Sequence, residues 1–367
     1  MSVKQEFPLL SICISTYNAA HLLRVTLGAV VQQVGSTNGR VELLVVDDVS
    51  KDNTHEVIEE ARKLGPVRYI KNELNLGSSA NLVNGPVTHA RGEFIWCWNQ
   101  HCLLYPGALA RLLEVLEERR ELDVLYANFR CANYPQDWPE QALSGYDGPF
   151  DYLANQELEN RAVDQWQDLL EARNCIGTQS YAHIVKRSVW TAYWAKRTVG
   201  ESYRNAITTY PHTCMLAESV MARPSFYIGS PLITIYNGAQ SWGDLTSRAK
   251  VNMLGLPDLI GIFKRQGLLD ERLELAERWA SAEVGNLLLQ VLRERHRPVL
   301  AMLPRYLLTY GCNRGVAEAL WKAFLDSRCC WLARAIISGG HRLDRTRDYF
   351  LHNCRPARWL RGKRATR

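Results

Sequence analysis

The sequence predicts an α/β fold: an open, mostly parallel sheet with helices on both faces, followed by a mainly helical C-terminal region. Three observations lead there. Short apolar runs alternate with amphipathic stretches through the first 130 residues, which is the signature of strand–helix units. The runs are too uniformly apolar for a half-solvated strand and suit a parallel strand buried on both sides. Beyond residue 245 the strand signals give way to helical periodicity.

Each element has a local reason. Residues 9–15 (LLSICIS) form the first strand, and Asn18 is placed to cap a helix running to Val34, with Leu23, Leu27, Val30, Val31 and Val34 on one face. VELLVVD (41–47) is the second strand and runs into Asp48. A loop, VSKDNT, leads to a helix over 54–64, and VRYIK (67–71) is the third strand. NLGSSANLVNGPVTHA holds a helix disturbed by Gly85 and Pro86. EFIWCW (93–98) is the fourth strand, Pro106 suits the first turn of the next helix, and DVLYANF (123–129) completes the series. Residues 130–165, rich in Pro, Tyr, Trp and Gly, read as a binding insertion. Three regions result: 1–245, a helical 246–340 and a basic tail, 341–367.

The 10 cysteines show no zinc-type spacing, so they read as reduced, mostly buried thiols of a cytoplasmic protein. No signal peptide and no membrane-spanning run is evident. Residues 341–367 carry nine Lys/Arg against two Asp, a net +7 within a chain of +6, which leaves the remainder at −1. The positive charge is therefore local to the C terminus. Without a nucleic-acid motif or a basic body, nucleic acid is not the expected partner.

SICISTYNAAHLLRVTL, ELLVVDDVSKDNT and KNELNLGSSANLVNGPVTHARGEFIWCW stand in order over residues 8–112. Together they resemble the family 2 inverting glycosyltransferases of GT-A fold. VKRSVW and the segment from YPHTCMLAESV to NGAQSW further resemble the O-antigen and capsule sugar transferases of that family, abequosyltransferase-like members included. The resemblance implies a nucleotide-diphosphate sugar donor and a glycan acceptor, often lipid-linked. It implies a nucleotide site at Ser15, Thr16, Tyr17, Asn18, Asp47 and Asp48, with Asn75 and Gly77 nearby; Arg91 faces the diphosphate or is a solvated surface arginine, two equally good readings. For Asn72, Asn75 and Gly77 a structural turn is an equally good reading.

In that family the turn after the fourth strand carries an Asp-x-Asp type motif that holds Mg²⁺ or Mn²⁺ against the diphosphate. Here the turn is Asn99-Gln100-His101-Cys102, without a carboxylate. Three readings stay open. The enzyme works without the metal, using Arg91, Arg187, His101 or helix N-terminal amides. Alternatively, His101 and Cys102 hold a softer ion. In the third, the fold is a catalytically silent binding or scaffold subunit. The general base that inversion requires is expected at His212 or Glu218, with Asp147 and Asp151 behind them. Tyr134, Trp138, Tyr146, Tyr152 and the VWTAYW aromatics (Trp190, Tyr193, Trp194) offer faces for sugar rings, with core packing as the alternative. The stripe Leu320, Trp321, Phe324, Cys329, Trp331, Leu332, Ala335 and Ile336, with the basic tail, suggests peripheral attachment to an anionic membrane's inner face.

Overall fold

The computed structural model describes residues 7–139, 152–153, 155–171, 175–239 and 244–326. Asp147, Asp151, Tyr146 and the 341–367 tail lie outside the described residues. The described residues divide into two compact units, the first within 1–243 and 258–276, the second within 244–257 and 277–326.

The first unit is the expected α/β sheet with helices, although its strands are mixed in direction rather than mostly parallel. In chain order, β1 (Leu10–Thr16), α1 (Ala20–Gly35), β2 (Val41–Asp47), α2 (Thr54–Arg62), β3 (Arg68–Lys71) and α3 (Ser78–Asn84) come first. Then follow β4 (Phe94–Trp98), β5 (Cys102–Leu104), α4 (Ala108–Glu118) and β6 (Val124–Asn133). The short β7 (Tyr152–Leu153) and β8 (Arg161–Val163) precede β9 (His183–Lys186), α5 (Arg187–Trp194), α6 (Ala206–Thr209), α7 (Pro211–Ser219) and the long β10 (Ser225–Asn237). The sheet order is β3-β2-β1-β4-β9-β6-β10-β5.

Strand polarity decides which residues share an edge. β3, β2, β1 and β4 are mutually parallel. β9 is antiparallel to both β4 and β6, and β10 is parallel to β6. Two reversals cancel, so β6 and β10 run in the direction of β1. The carboxyl ends of β1, β2, β4, β6 and β10 therefore lie on one edge. Every residue of β4 is buried, and all but one of β1, so both faces of these strands are covered. Trp96 and Trp98 pack edge to face 4.8 Å apart at the centre, each burial contributing about 2–3 kcal/mol.

Several local expectations are corrected. Asn18 does not cap α1; it sits in the left-handed region (φ 48) and its Oδ1 accepts the Lys51 N–H at 2.7 Å. The cap comes from Asp52, whose Oδ2 accepts Ala20 N–H at 2.9 Å while Oδ1 serves Thr54 at the start of α2. Partial burial pushes the Asp52 carboxyl up, but bonds from Thr54 and Ala20 outweigh it and hold it below its ordinary value. One side chain therefore starts two helices. At the C-terminal end of α1 the chain turns through exposed Asn38 (φ 51) and Gly39 (φ 79), on the amino edge. α3 continues as one π turn over Gly85–His89, absorbing Pro86 without ending the helical path. Pro106 lies ahead of α4 rather than in it, because Cys102–Leu104 forms the unexpected β5, antiparallel to β10.

VWTAYW is core: Trp190, Tyr193 and Trp194 are all buried. α5 starts at Arg187, directly after β9 ends at Lys186, and packs against that strand with its aromatic side buried.

α9 (Leu256–Arg265) and the start of α10 (Asp270–Glu294) fall mainly in the first unit, while α8 (Leu245–Lys250), the rest of α10, α11 (Arg297–Leu300), α12 (Leu303–Tyr310) and α13 (Arg314–Leu325) make up the second. Val284, Leu287, Leu288, Val291, Tyr306, Val316, Ala319 and Ala323 form its core. Ser281 and Gly285 of α10 meet Gly315 of α13 backbone to backbone; an added Cβ on Gly285 would lie 2.5 Å from Gly315 O. Ser281 Oγ accepts Gly315 N–H at 2.8 Å and donates to Asn313 Oδ1 at 3.0 Å. Of the expected apolar stripe, Leu320 packs on this core but Trp321 is 65% exposed. Residues from 327 onward lie outside the described residues. Among the described residues no helix is long and apolar enough to cross a membrane.

Candidate functional site

The carboxyl edge gathers most of the expected residues. Thr16 ends β1 and its carbonyl accepts Asp48 N–H at 3.0 Å, fastening β1 to the residue after β2. Ser15 is half-buried and Tyr17 is exposed beside it. The two aspartates are buried, at 1% and 2% exposure. Asp47 Oδ1 accepts Ser50 N–H at 2.9 Å, and Oδ2 accepts the Tyr69 hydroxyl at 2.7 Å. Asp48 Oδ1 accepts Leu76 N–H at 2.7 Å and Asn72 Nδ2 at 2.9 Å; Oδ2 accepts Gly77 N–H at 2.9 Å. Asn75, itself exposed, donates from Nδ2 to Asp48 O at 3.0 Å. In this state both carboxylates shape the rim rather than projecting from it.

Asn72 is the second hub. It bonds Asp48, accepts from Asn84 at 3.1 Å and donates to Asn81 Oδ1 at 2.9 Å; Asn81 Nδ2 in turn reaches Val46 O at 3.1 Å. The sequence reading missed Asn81 and Tyr69. Asn81 is buried with Ser79 and Val83 on the inner side of α3, where an unpaired amide would be costly; that burial shows only in the fold.

Arg91 is misplaced in the sequence reading. It precedes β4, and its N–H is bonded to Glu42 Oε2 at 2.9 Å on the amino edge. Arg187 is there too, with its Nε on Gly92 O at 3.0 Å. β4 is five residues long, so about 16 Å of strand separates both arginines from the rim. The rim cations are instead Lys71, whose Nζ lies 3.3 Å from Ser50 O, and Lys51 in the loop after β2.

The turn 99–102 bears on the family's metal. Gln100 O accepts Thr26 Oγ1 at 2.7 Å. His101 is buried and burial pushes its pKa down to about 4, so it is neutral at pH 7 and contributes no positive charge. Cys102 is buried in β5; burial pushes its thiol up to about 12, against a smaller lowering by Asn99 N–H. A protonated thiol, a neutral imidazole and two amides do not make a site for a hard divalent cation. Among the described residues no three of His, Cys, Asp and Glu converge as a metal site. The residues present do not fit the family's ion.

The segment before α7 is tied to the rim. Ser79 Oγ donates to Thr208 O at 2.5 Å, and Ser78 Oγ lies 2.8 Å from Tyr203 Oη. His212 follows four residues after Thr208, in the first turn of α7. Its Nε2 is 2.9 Å from Thr178 O, which fixes the proton there and leaves Nδ1 as a buried lone pair with no partner among the described residues. Burial pushes it down to about 4, and neighbouring His183 to about 3 through burial and then the charge of His212. Glu218, at the far end of α7, is bonded to Tyr193 Oη at 3.1 Å and paired with Arg197 at 3.4 Å. The helix does not bring His212 and Glu218 together.

These buried histidines predict acid sensitivity. Unfolded histidine binds its proton near pH 6.5, whereas His101, His183 and His212 resist until about 3 to 4. Between those limits the unfolded state holds more protons, so stability falls as pH drops below 6.5. Urea unfolding from pH 6 to 4.5 should show a slope approaching three protons, about 4 kcal/mol per pH unit. A slope under one proton would contradict the burial of these rings.

Three buried polar atoms at the ends of β1 and β4 have no partner among the described residues: Thr16 Oγ1, Trp98 Nε1 and His101 Nδ1. Buried polar groups are normally satisfied, so these three are exceptions on the same edge as Asp47 and Asp48.

Residues 11–173, a little under half of the chain, match glycosyl transferase family 2. The chain is similar to the poly-beta-1,6-N-acetyl-D-glucosamine synthase of Staphylococcus epidermidis, 25% identical over 132 residues, 36% of this chain and 31% of that protein. It is also similar to glycosyltransferase GlyG of Streptococcus pneumoniae serotype 4, 24% identical over 159 residues, 43% of this chain and 52% of that one. The chain thus spans about half or less of the curated relatives it matches. Among solved structures it is similar to residues 1–349 of S. aureus TarS, with TM-score 0.49, 15% identity and coverage of 84% and 88% of the two chains. The mannosyltransferase PcManGT from Pyrobaculum calidifontis, solved with GDP-Man and Mn2+, gives TM-score 0.46, 15% identity and coverage of 88% and 89%.

Proposed function

We propose that this protein is a glycosyltransferase that moves one sugar from a nucleotide-diphosphate donor to a glycan acceptor, lipid-linked in a surface-polysaccharide pathway. The observation that carries the reading is the trio of orphaned atoms, Thr16 Oγ1, Trp98 Nε1 and His101 Nδ1, at one rim within the segment that matches the family. Residues 1–245 are the donor and acceptor domain, and Ser15, Thr16, Tyr17, Asn18 and the Asp48-held loop grip the nucleotide. The reaction is a single displacement: the acceptor hydroxyl oxygen bonds the anomeric carbon as the bond to the diphosphate breaks. The hydroxyl proton passes to a base, for which the candidates are His212, buried with its Nδ1 closed to solvent, and Glu218, which is paired with Arg197 and Tyr193 and would have to part from them. The diphosphate leaves with its charge balanced by Lys51 and Lys71 rather than by a divalent cation. The basic tail holds the enzyme to the inner, anionic face of the membrane.

One observation favours the rival, a silent binding subunit: the carboxylates of Asp47 and Asp48 are fully engaged within the chain. Thermal shift with UDP and GDP, with and without EDTA, followed by donor hydrolysis and transfer assays, separates the two. The metal-free enzyme requires a nucleotide-induced rise in Tm unchanged by EDTA, together with turnover. Binding with no turnover on any donor would establish the silent subunit, and no binding at all would end both readings.

A further inference from the structure

We infer that Trp138 and Tyr134, at the carboxyl end of β6, form the platform on which a saccharide acceptor lies. This rests on the glycosyltransferase reading and locates its second substrate.

Strand polarity supplies the first argument. β6 runs with β1 and β4, so the chain leaving Asn133 emerges on the rim that carries Thr16 and Asn99. A turn then folds it back: Asn133 N–H donates to Asp137 Oδ2 at 2.8 Å, and Trp138 N–H to Pro135 O at 3.2 Å. That turn sets the Trp138 ring edge to face against buried Tyr236, 4.8 Å away, and 5.9 Å from Tyr134. Trp138 and Tyr134 remain half-exposed.

Continuity with the donor rim is the second argument. Tyr134 Oη lies 3.3 Å from Nε2 of exposed His21, in the first turn of α1, four residues after Tyr17. Val25 of the same helix and Leu103 of β5 share one apolar cluster with Tyr236, Tyr134 and Trp138. Thr26 Oγ1 holds the 99–101 turn through Gln100 O. The platform therefore abuts the 99–102 turn, on the same rim as the proposed donor site.

Chemistry is the third. A partly exposed indole and phenol bordered by His21, Asn133 and Asp137 offer a flat apolar surface ringed with donors and acceptors. A pyranose presents the same combination, an apolar C–H face and a polar perimeter.

The test uses saturation-transfer NMR with the methyl glycosides of glucose, galactose, mannose and N-acetylglucosamine at millimolar concentration. At least one should receive saturation from the full chain. Trp138→Ala should weaken that binding about tenfold, while Trp138→Phe, which keeps a flat ring, should stay within about threefold. UDP and GDP thermal shifts run alongside. If no glycoside binds, or binding is unchanged in Trp138→Ala, the platform is refuted while the donor reading stands. If Trp138→Ala instead removes the nucleotide shift, the ring serves the nucleobase and this inference fails. If no nucleotide shifts the wild-type protein, the transferase reading falls, and glycoside binding that depends on Trp138 would survive it as a sugar site.

Discussion

Replacing Asp48 by alanine should lower unfolding stability by about 3 kcal/mol and abolish any nucleotide-induced rise in Tm. The carboxylate accepts from Leu76 N–H, Gly77 N–H and Asn72 Nδ2, and it is 2% exposed. Each orphaned donor costs roughly 1–3 kcal/mol when water cannot replace the lost acceptor. Leu76 is 42% exposed, so water recovers part of the loss, which brings the sum to the lower value. Asp48→Asn keeps the shape but turns an amide hydrogen toward one of the donors, and about half the loss is expected. The same bonds hold the 72–77 loop against the strand end, and nucleotide binding goes with them. Urea denaturation of the two variants checks this; a loss below 1 kcal/mol for alanine would show that the carboxylate is not the hub.

The second large effect falls in the helical unit. A Cβ at Gly315 would sit far inside contact distance of the Ser281 carbonyl, so α10 and α13 must separate before alanine fits. Overpacking of this kind costs about 3 kcal/mol, and separation also breaks the Gly315 N–H bond to Ser281 Oγ. Gly261→Ala is the contrast. That glycine lies inside α9, where a Cβ meets only the flexible end of Arg265 at 3.4 Å. The same chemical change there should stabilise by up to about 1 kcal/mol through helix propensity. Hydrogen exchange at α13 and thermal unfolding measure both; equal effects at the two sites would sink the explanation.

The parallel half of the sheet was legible because β1, β2 and β4 are apolar runs whose burial on both faces leaves few alternatives. The carboxyl edge followed from that, and with it Thr16, Asp47 and Asp48. Arg91 was misjudged although the same rule condemned it: a residue ahead of a strand lies at the opposite edge from one behind it. The partners of Asp48 were not legible, since Asn72, Leu76 and Gly77 reach it through a loop whose path depends on long-range packing. The aromatic residues of VWTAYW and those around Trp138 look alike in composition. Their fates differ because α5 turns its ring-bearing side under β9, whereas the turn after β6 leaves Trp138 at the surface. Neither β5 nor the burial of His101 and Cys102 could be read from a three-residue strand that exists only through its pairing with β10.

The left-handed turn at Asn38 and Gly39 sits where α1 hands over to β2, a full strand length from the rim. A Cβ at Gly39 would touch nothing within 4 Å. Tethering the molecule to a sensor surface through Asn38, or splicing a reporter between the two residues, should leave the reacting edge facing bulk solution. Substrates could then be titrated onto an oriented monolayer without the anchor competing for them.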